Sequence, residues 1–394
     1  MKNKFITSAL ILFFYHLSAQ VTWQKMANFG GAGRNHAIGF SHGTYGYVMT
    51  GEGGVNATQY KDFWEYNSAT NTWKQLTNYP GAVRSYGIGE VIGDKAYIGF
   101  GHSASSFLKD WWEYDFTTST WTSKATFPGT GRDHPTCAVM NGKLYVGFGD
   151  NSSGNYKDWW EYNPATDTWT SKTQYPGASM HHPVSAAYNN LIYISEGHVS
   201  TGGSKKFYSY NATANTWATL ADMPGPGVVA GASFYIGNNK VYSGCGITEP
   251  AAAFHNEFYG YDIGTGVWSA ISNYPGTGVF GPVSFIIGND GYVVTGMESS
   301  GTDTKDNYRL HLNSSGVENT MHAGLFNIYP NPASNTVIVE NEQLNITVRL
   351  CNAAGNLIHS YIKKENELRI DMSTLPAGLY FIISENSAQK VIKK

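Results

Sequence analysis

The sequence predicts an all-β protein: six four-stranded blades closing into a six-bladed β-propeller, followed by a small Ig-like β-sandwich. Three observations carry that prediction. Of the 394 residues, 14% are charged and 14% aromatic, with 45 Gly and 27 Tyr, against roughly 25% charged and Gly near 7% in an ordinary domain; this is the composition of many short strands joined by tight turns. A tryptophan preceded by Thr or Val recurs at Trp23, Trp73, Trp121, Trp169, Trp217 and Trp268, at separations of 50, 48, 48, 48 and 51, and a fixed period of that size marks a repeat architecture. The period breaks after residue 316, and a segment of different composition follows.

At the N-terminus, Lys2 and Lys4 precede an apolar run from Phe5 to Tyr15, and Leu17-Ser18-Ala19 ends in a small residue. This is the pattern of a secretory signal peptide over residues 1–19. The run is too short for the ~20 apolar residues that span a bilayer, and no later segment has the length, so no transmembrane segment is expected.

Each repeat from residue 20 to 316 carries the same signals in the same order. Pro-Gly stands seven residues after Trp (Pro80, Pro128, Pro176, Pro224, Pro275), then an apolar strand, a turn such as Asn141-Gly142-Lys143, and a second strand ending in glycine, as in Gly99-Phe100-Gly101. The third strand is aromatic, as in Trp111-Trp112-Glu113-Tyr114, and a polar turn leads into the Trp-bearing fourth. Alternating apolar runs bounded by turn residues read as strands, and four per repeat make a propeller blade. The sixth repeat lacks a Trp-bearing fourth strand, whereas Val21-Thr22-Trp23 is a fourth strand with no blade before it. The N-terminal strand is therefore expected to complete blade six, which removes exposed sheet edges. The strand-two glycines, the downstream Tyr and the Tyr-Asn-Pro-Ala-Thr-Asp-Thr-Trp segment, varied slightly over 66–73, 114–121 and 210–217, resemble kelch repeats of the galactose-oxidase-like kind.

After a linker (317–324), residues 325–394 alternate at Thr336-Val337-Ile338-Val339 and Ile346-Thr347-Val348-Arg349-Leu350, turn at Ala354-Gly355-Asn356, and continue through Leu368–Met372 and Leu375–Ile382 to a last strand ending at Lys394. That is a small antiparallel sandwich. Its Tyr329-Pro330-Asn331-Pro332 opening, the Asp371–Leu375 and Pro376–Tyr380 blocks and the terminal Lys390-Val391-Ile392-Lys393 resemble the type A C-terminal sorting domain of the type IX secretion system. The resemblance implies export across the outer membrane of a Bacteroidota-like bacterium, with that secretion machinery as a partner, to the medium or the cell surface.

Net charge is −3, so no basic field favours nucleic acid. Cys137, Cys245 and Cys351 have neither zinc nor disulfide spacing and are expected to be buried and unpaired. No catalytic motif appears along the chain, so any site must be assembled from several blades. The Pro-Gly loops, the starts of the innermost strands and the long strand-two to strand-three connections (Glu52 to Lys61, His102 to Lys109, Glu196 to Lys205) share one face, the expected binding surface.

The strand-one starts align as a ring of pairs two residues apart: Arg34 and His36, Arg84 and Tyr86, Arg132 and His134, Met180 and His182, Val228 and Ala230, Val279 and Gly281. In an extended strand, positions two apart point the same way. The ring is thus expected to be cationic and hydrogen-bonding through blades one to three, with His181 and His182 in blade four, and apolar beyond. Loop positions nearby add Glu52, His102, Asp150, Glu196 and His198.

Two roles for the arginines stand open. They could grip an anionic ligand, or pair with the aspartates of Lys61-Asp62, Lys109-Asp110 and Lys157-Asp158, since blade four replaces both partners, with Met180 and Lys206. Imidazoles from several blades could meet at a metal, but spacing gives no distances, and no metal or cofactor is assigned. Trp64, Trp112 and Trp160 are expected to pack the blades.

The chain therefore reads as a secreted or surface propeller that binds a glycan or protein ligand through Arg34, His36, Arg84, Tyr86, Arg132, His134, His181 and His182. The alternative is a secreted carbohydrate-active enzyme, by similarity to kelch propellers that isomerise sialic acid or oxidise sugars. No residue can be carried over from either, and fold alone does not choose.

Overall fold

A computed structural model describes residues 21–312, apart from 55, 105, 237–238 and 251, and residues 327–394, apart from 341–343, 345, 353–356 and 385–386. The signal peptide expected over 1–19, the linker expected over 317–324 and the turn expected at Ala354-Gly355-Asn356 lie outside the described residues. The two stretches belong to separate compact units.

In the first unit the repeats fold as six four-stranded antiparallel sheets. Blade one is typical: Ile38–His42 pairs with Tyr45–Met49, that strand with Phe63–Asn67, and the last with Thr72–Leu76. The innermost strands of blades two to six are Ile88–Ile92, Thr136–Met140, Val184–Tyr188, Ala232–Ile236 and Val283–Ile287. Each approaches the next, and the sixth returns to the first, so the ring is closed. Val21–Lys25 supplies the outer strand of blade six, with Val21 opposite Leu312 and Lys25 opposite Tyr308. The N-terminal closure expected from the tryptophan pattern is present.

Apolar burial is organised between blades rather than within them. Ile38, Phe40 and Phe63 of blade one meet Ala96, Ile98 and Tyr114 of blade two, and equivalent clusters fill the other five junctions, the sixth-to-first junction through Phe285, Tyr292, Val48 and Tyr66. A sheet buries its faces only against other layers, and here each blade is sandwiched by two neighbours.

The connections between strands two and three, expected as long loops, are themselves ordered. In blades one to five they form two-stranded ribbons, Glu52–Gly53 with Thr58–Gln59 in the first. Each ribbon begins after a left-handed pair of residues, for example Phe100 and Gly101 at φ of 61° and 91°. A Cβ on Gly101 would lie 2.3 Å from the Ser85 carbonyl oxygen, so both conformation and space demand glycine. These glycines donate their N–H groups to the next blade: Gly51 to Arg84 O, Gly101 to Arg132 O, Gly149 to Met180 O, Gly197 to Val228 O, Gly246 to Val279 O and Gly296 to Arg34 O, at 2.8–3.2 Å.

The second unit holds a three-stranded sheet (Asn327–Tyr329, Thr336–Glu340, Glu367–Asp371) and a four-stranded one (Leu357–Lys363, Ile346–Asn352, Gly378–Ser384, Ser387–Lys393). Val337, Val339 and Ile370 from one pack on Val348, Leu350, Ile382 and Val391 from the other, which is the expected sandwich. Leu357–Lys363, an edge strand with mostly exposed side chains, is an element the sequence pattern did not single out. All three cysteines are free and buried; Cys245 directly follows the strand Lys240–Gly244, at a left-handed position.

Candidate functional site at the propeller axis

The segment before each innermost strand decides the site, and it is not extended. His36, Tyr86, His134, His182 and Ala230 have φ between 47° and 61°, and Gly281 has 59°. Strand alternation therefore does not apply, and three consecutive residues point three ways. The first turns into its own blade, and the second pairs with the ribbon, as Asn35 does with Glu52 and Asp133 with Asp150. The third reaches the axis, where its N–H or C=O bonds its counterparts: His36 N to Gly281 O, Tyr86 N to His36 O, His134 N to Tyr86 O, His182 N to His134 O and Gly281 N to Ala230 O, at 2.7–3.1 Å.

The arginines are consequently absent from the mouth. Arg34 is fully buried and donates to both carboxylate oxygens of Asp62 (2.6 and 2.8 Å), to Thr50 O (2.7 Å) and to Ala32 O (3.1 Å), with its guanidinium over Phe29 and Tyr60. Arg84 with Asp110 and Arg132 with Asp158 repeat the fork. Each aspartate also accepts the indole N–H two residues on, from Trp64, Trp112 and Trp160 at 2.7–2.9 Å, so these tryptophans serve the blade. Burial pulls the Asp62 carboxyl up, but the Arg34 hydrogen bonds and charge outweigh it and hold it below the usual range. Blade four, lacking the pair, buries Met180 and ties Lys206 to Asp222. In blade six, Asp306 binds Lys25 of the closing strand.

What converges at the axis is aromatic and hydrogen-bonding. The ring centroids of His36 and Tyr86 are 4.5 Å apart, Tyr86 and His134 4.1 Å, His134 and His182 3.5 Å, and His182 and His36 5.1 Å, with Phe280 beside His36 at 4.7 Å. His181 stands 4.8 Å from His182 and 4.7 Å from His198. These rings cap a cavity on the axis lined by Ala37, Gly87, Pro135, Pro183, Gly231 and Pro282. Deeper in the channel Glu90 stands among Gly39, Thr136, Ser185, Ser233 and Ser284, its carboxyl pushed up by burial to about 7.

A second tier of polar groups orients the rings. His36 Nδ1 faces Asn35 Oδ1 at 2.5 Å, and Asn35 Nδ2 donates to Asp303 at 2.6 Å. The Tyr86 hydroxyl and Ser85 Oγ both donate to Glu52. His134 Nδ1 lies 3.0 Å from Asp150 and 3.2 Å from Asp133. Burial alone would lower the His134 imidazole, but its hydrogen bonds to Asp133 and Asp150 carry it above its ordinary value. Burial, with the His134 charge nearby, drives His36 and His182 well down, and burial takes His181 to about 4. The mouth thus holds one imidazole favoured as a cation between two carboxylates, and neutral imidazoles around it.

Of the residues singled out in the sequence, His36, Tyr86, His134, His181 and His182 come together, with Glu52, Asp150 and His198 beside them. Arg34, Arg84 and Arg132 do not join them, and Glu196 is buried against Ser243 and Gly231 of blade five. Asn35, Asp133, Phe280 and Asp303 were missed. The first three occupy the middle position between the aligned ring pairs, so that column held a signal; Asp303 arrives from blade six with no local cue.

Residues 46–306 match the family model of the Attractin/LZTR1 β-propeller, and residues 327–394 match that of a secretion system C-terminal sorting domain. Among solved structures, that of YjhT is similar at 16% identity and a TM-score of 0.61, covering 72% of this chain and 95% of its own, a likeness of fold. No curated protein matches the chain. With the propeller match spanning well over half its length, the chain belongs to the Attractin/LZTR1 β-propeller family, a kelch-type propeller joined to a C-terminal sorting domain.

Proposed function

We propose that the chain is an exported binding module whose axial mouth holds a polar, uncharged ligand, a glycan or a hydroxyl-rich protein loop, through His36, Tyr86, His134, His181 and His182. One observation carries this reading. At six equivalent left-handed positions, which suit glycine, blades five and six place Ala230 and Gly281, whereas blades one to four place three imidazoles and a phenol. The turn explains the conformation but not those side chains. Imidazole and phenol groups offer donors, acceptors and flat apolar faces together, which suits a hydroxyl-bearing ligand. Glu52, Asp133, Asp150 and Asp303 surround the mouth while the arginines are spent on aspartates, so an anion is disfavoured. Binding to a glycan array, followed by calorimetry on hits, tests this. Tyr86→Phe and His181→Ala should each weaken binding at least about tenfold, the loss of one good hydrogen bond; undiminished affinity in both, or preference for anionic sugars, would reject it.

Export rests on the matched sorting domain and on the leader pattern of residues 1–19. We place the destination at the surface or in the medium of a Bacteroidota-like cell, through type IX secretion. Deleting 325–394 should leave the propeller in the periplasm; its undiminished appearance outside the cell would refute that route.

A further inference from the structure

We propose that His36, His134 and His182 form a metal site on the propeller axis, for a divalent late first-row transition ion such as zinc. The inference goes beyond the ligand-binding reading, with which it shares these three side chains, and rests on geometry of its own. One nitrogen from each ring can be chosen so that all three lie within 4.8 Å of one another. The Nε2 atoms of His36 and His182 face each other at 3.2 Å. Two imidazole nitrogens on a tetrahedral zinc, each bonded at 2.0–2.1 Å, stand about 3.3 Å apart, so this edge already has the required length.

The outer partners point the same way. A metal-binding imidazole commonly donates its other N–H to an oxygen, which fixes ring orientation and leaves a lone pair toward the ion. His36 Nδ1 has Asn35 Oδ1, itself held by Asp303, and His134 Nδ1 has Asp150 and Asp133. Both rings are left with Nε2 to offer. His182 lacks such a partner: its Nδ1 is buried with no hydrogen bond from the described residues. Without an ion, His36 Nε2 accepts from His182 Nε2 at 3.2 Å, a contact that the ion would replace, while His182 Nδ1 stays without a partner among the described residues in either state. The ion would take the Nε2 lone pairs of all three rings and displace any proton on His134, with Asp133 and Asp150 offsetting its charge.

The donor set selects the ion class. Neutral imidazoles suit zinc, copper, nickel and iron, whereas calcium and magnesium prefer oxygen cages. Three protein ligands leave a fourth position open to a further ligand.

Zinc chloride titrated calorimetrically into the metal-stripped full chain, with metal content measured as purified, provides the test. One equivalent should bind. His36→Gln and His182→Gln should each weaken binding by more than about a hundredfold, above the 10–100-fold typical of outer partners, and Asp150→Asn by about tenfold. His42→Gln, whose ring stacks on Phe116 and pairs with Asp94, should bind as the parent does. Cobalt absorption of the parent, with the intensity of a tetrahedral nitrogen site, reads the same centre without a variant that must fold. Substoichiometric zinc, binding unaffected by His182→Gln in a folded variant, or an octahedral cobalt spectrum would overturn the site. Glycan binding by the metal-stripped chain would leave the ligand reading standing when this one falls, and the converse holds for zinc bound by a chain that binds no glycan.

Discussion

Arg34 shows how far a single side chain could be read and where reading stopped. The joint replacement of Arg and Asp in blade four points to Arg–carboxylate pairs within or between blades, and the fork on Asp62 places the pair within one blade. Placing His36 on the same side as Arg34 assumed extended backbone, and the φ of 47° at His36 removes that premise. Breaking the pair from one side strands a buried charge, which costs about 3–5 kcal/mol. Asp62→Asn should therefore lose about 3 kcal/mol in denaturant unfolding near neutral pH. Arg34→Met with Asp62→Asn, which imitates blade four, should recover much of the deficit; a double variant as unstable as the single would contradict the pairing role. Because Arg34 holds the folded Asp62 carboxyl below its unfolded value near 3.9, the stabilisation is complete above that pH and lost as pH falls through the lower folded value. The deficit of Asp62→Asn should shrink accordingly below about pH 4.

Strands were legible because their periodicity is local: alternation, the turn after strand one, and the glycine that ends strand two all lie within a few residues. The ribbons were not, since their strands are two residues long, too short for any pattern. They nevertheless set the mouth, because Glu52 and Asp150 begin ribbons that hold Tyr86 and His134. The glycine before the ribbon is where this element is most exposed to change. Gly101→Ala meets the Ser85 carbonyl at 2.3 Å with φ at 91°, and should cost at least about 2 kcal/mol. Gly43→Ala, also left-handed at 59° but with nothing within 4 Å, should cost about 1 kcal/mol. Equal losses in thermal or urea unfolding would show that contact with Ser85 is not what fixes glycine there.

At the scale of the molecule, blade number and closure followed from counting repeats, because each tryptophan marks one outer strand and Trp23 lacked a blade of its own. The axial cluster did not follow. Residues 36, 86, 134 and 182 meet only through the angular step between blades, a quantity no linear spacing contains, and their left-handed backbone occurs together with hydrogen bonds to the neighbouring blades. The sorting domain was legible for the opposite reason, its motifs being short, ordered and near one another.

The closing strand makes blade six unlike the rest. In blades one to five all four strands follow one another along the chain, so covalent connection helps to hold each blade together. In blade six, Val21–Lys25 reaches Asn307–Leu312 across almost the whole length of the domain, and backbone pairing, the Lys25–Asp306 bridge and the packing of Trp23 against Phe258 and Tyr274 hold it there. The ring has a seam. Mechanical pulling, proteolysis or heat that releases those five residues should open blade six first and bare an unpaired edge while the other five keep all four strands, so the first strand is expected to set the resistance of the propeller to harsh surroundings.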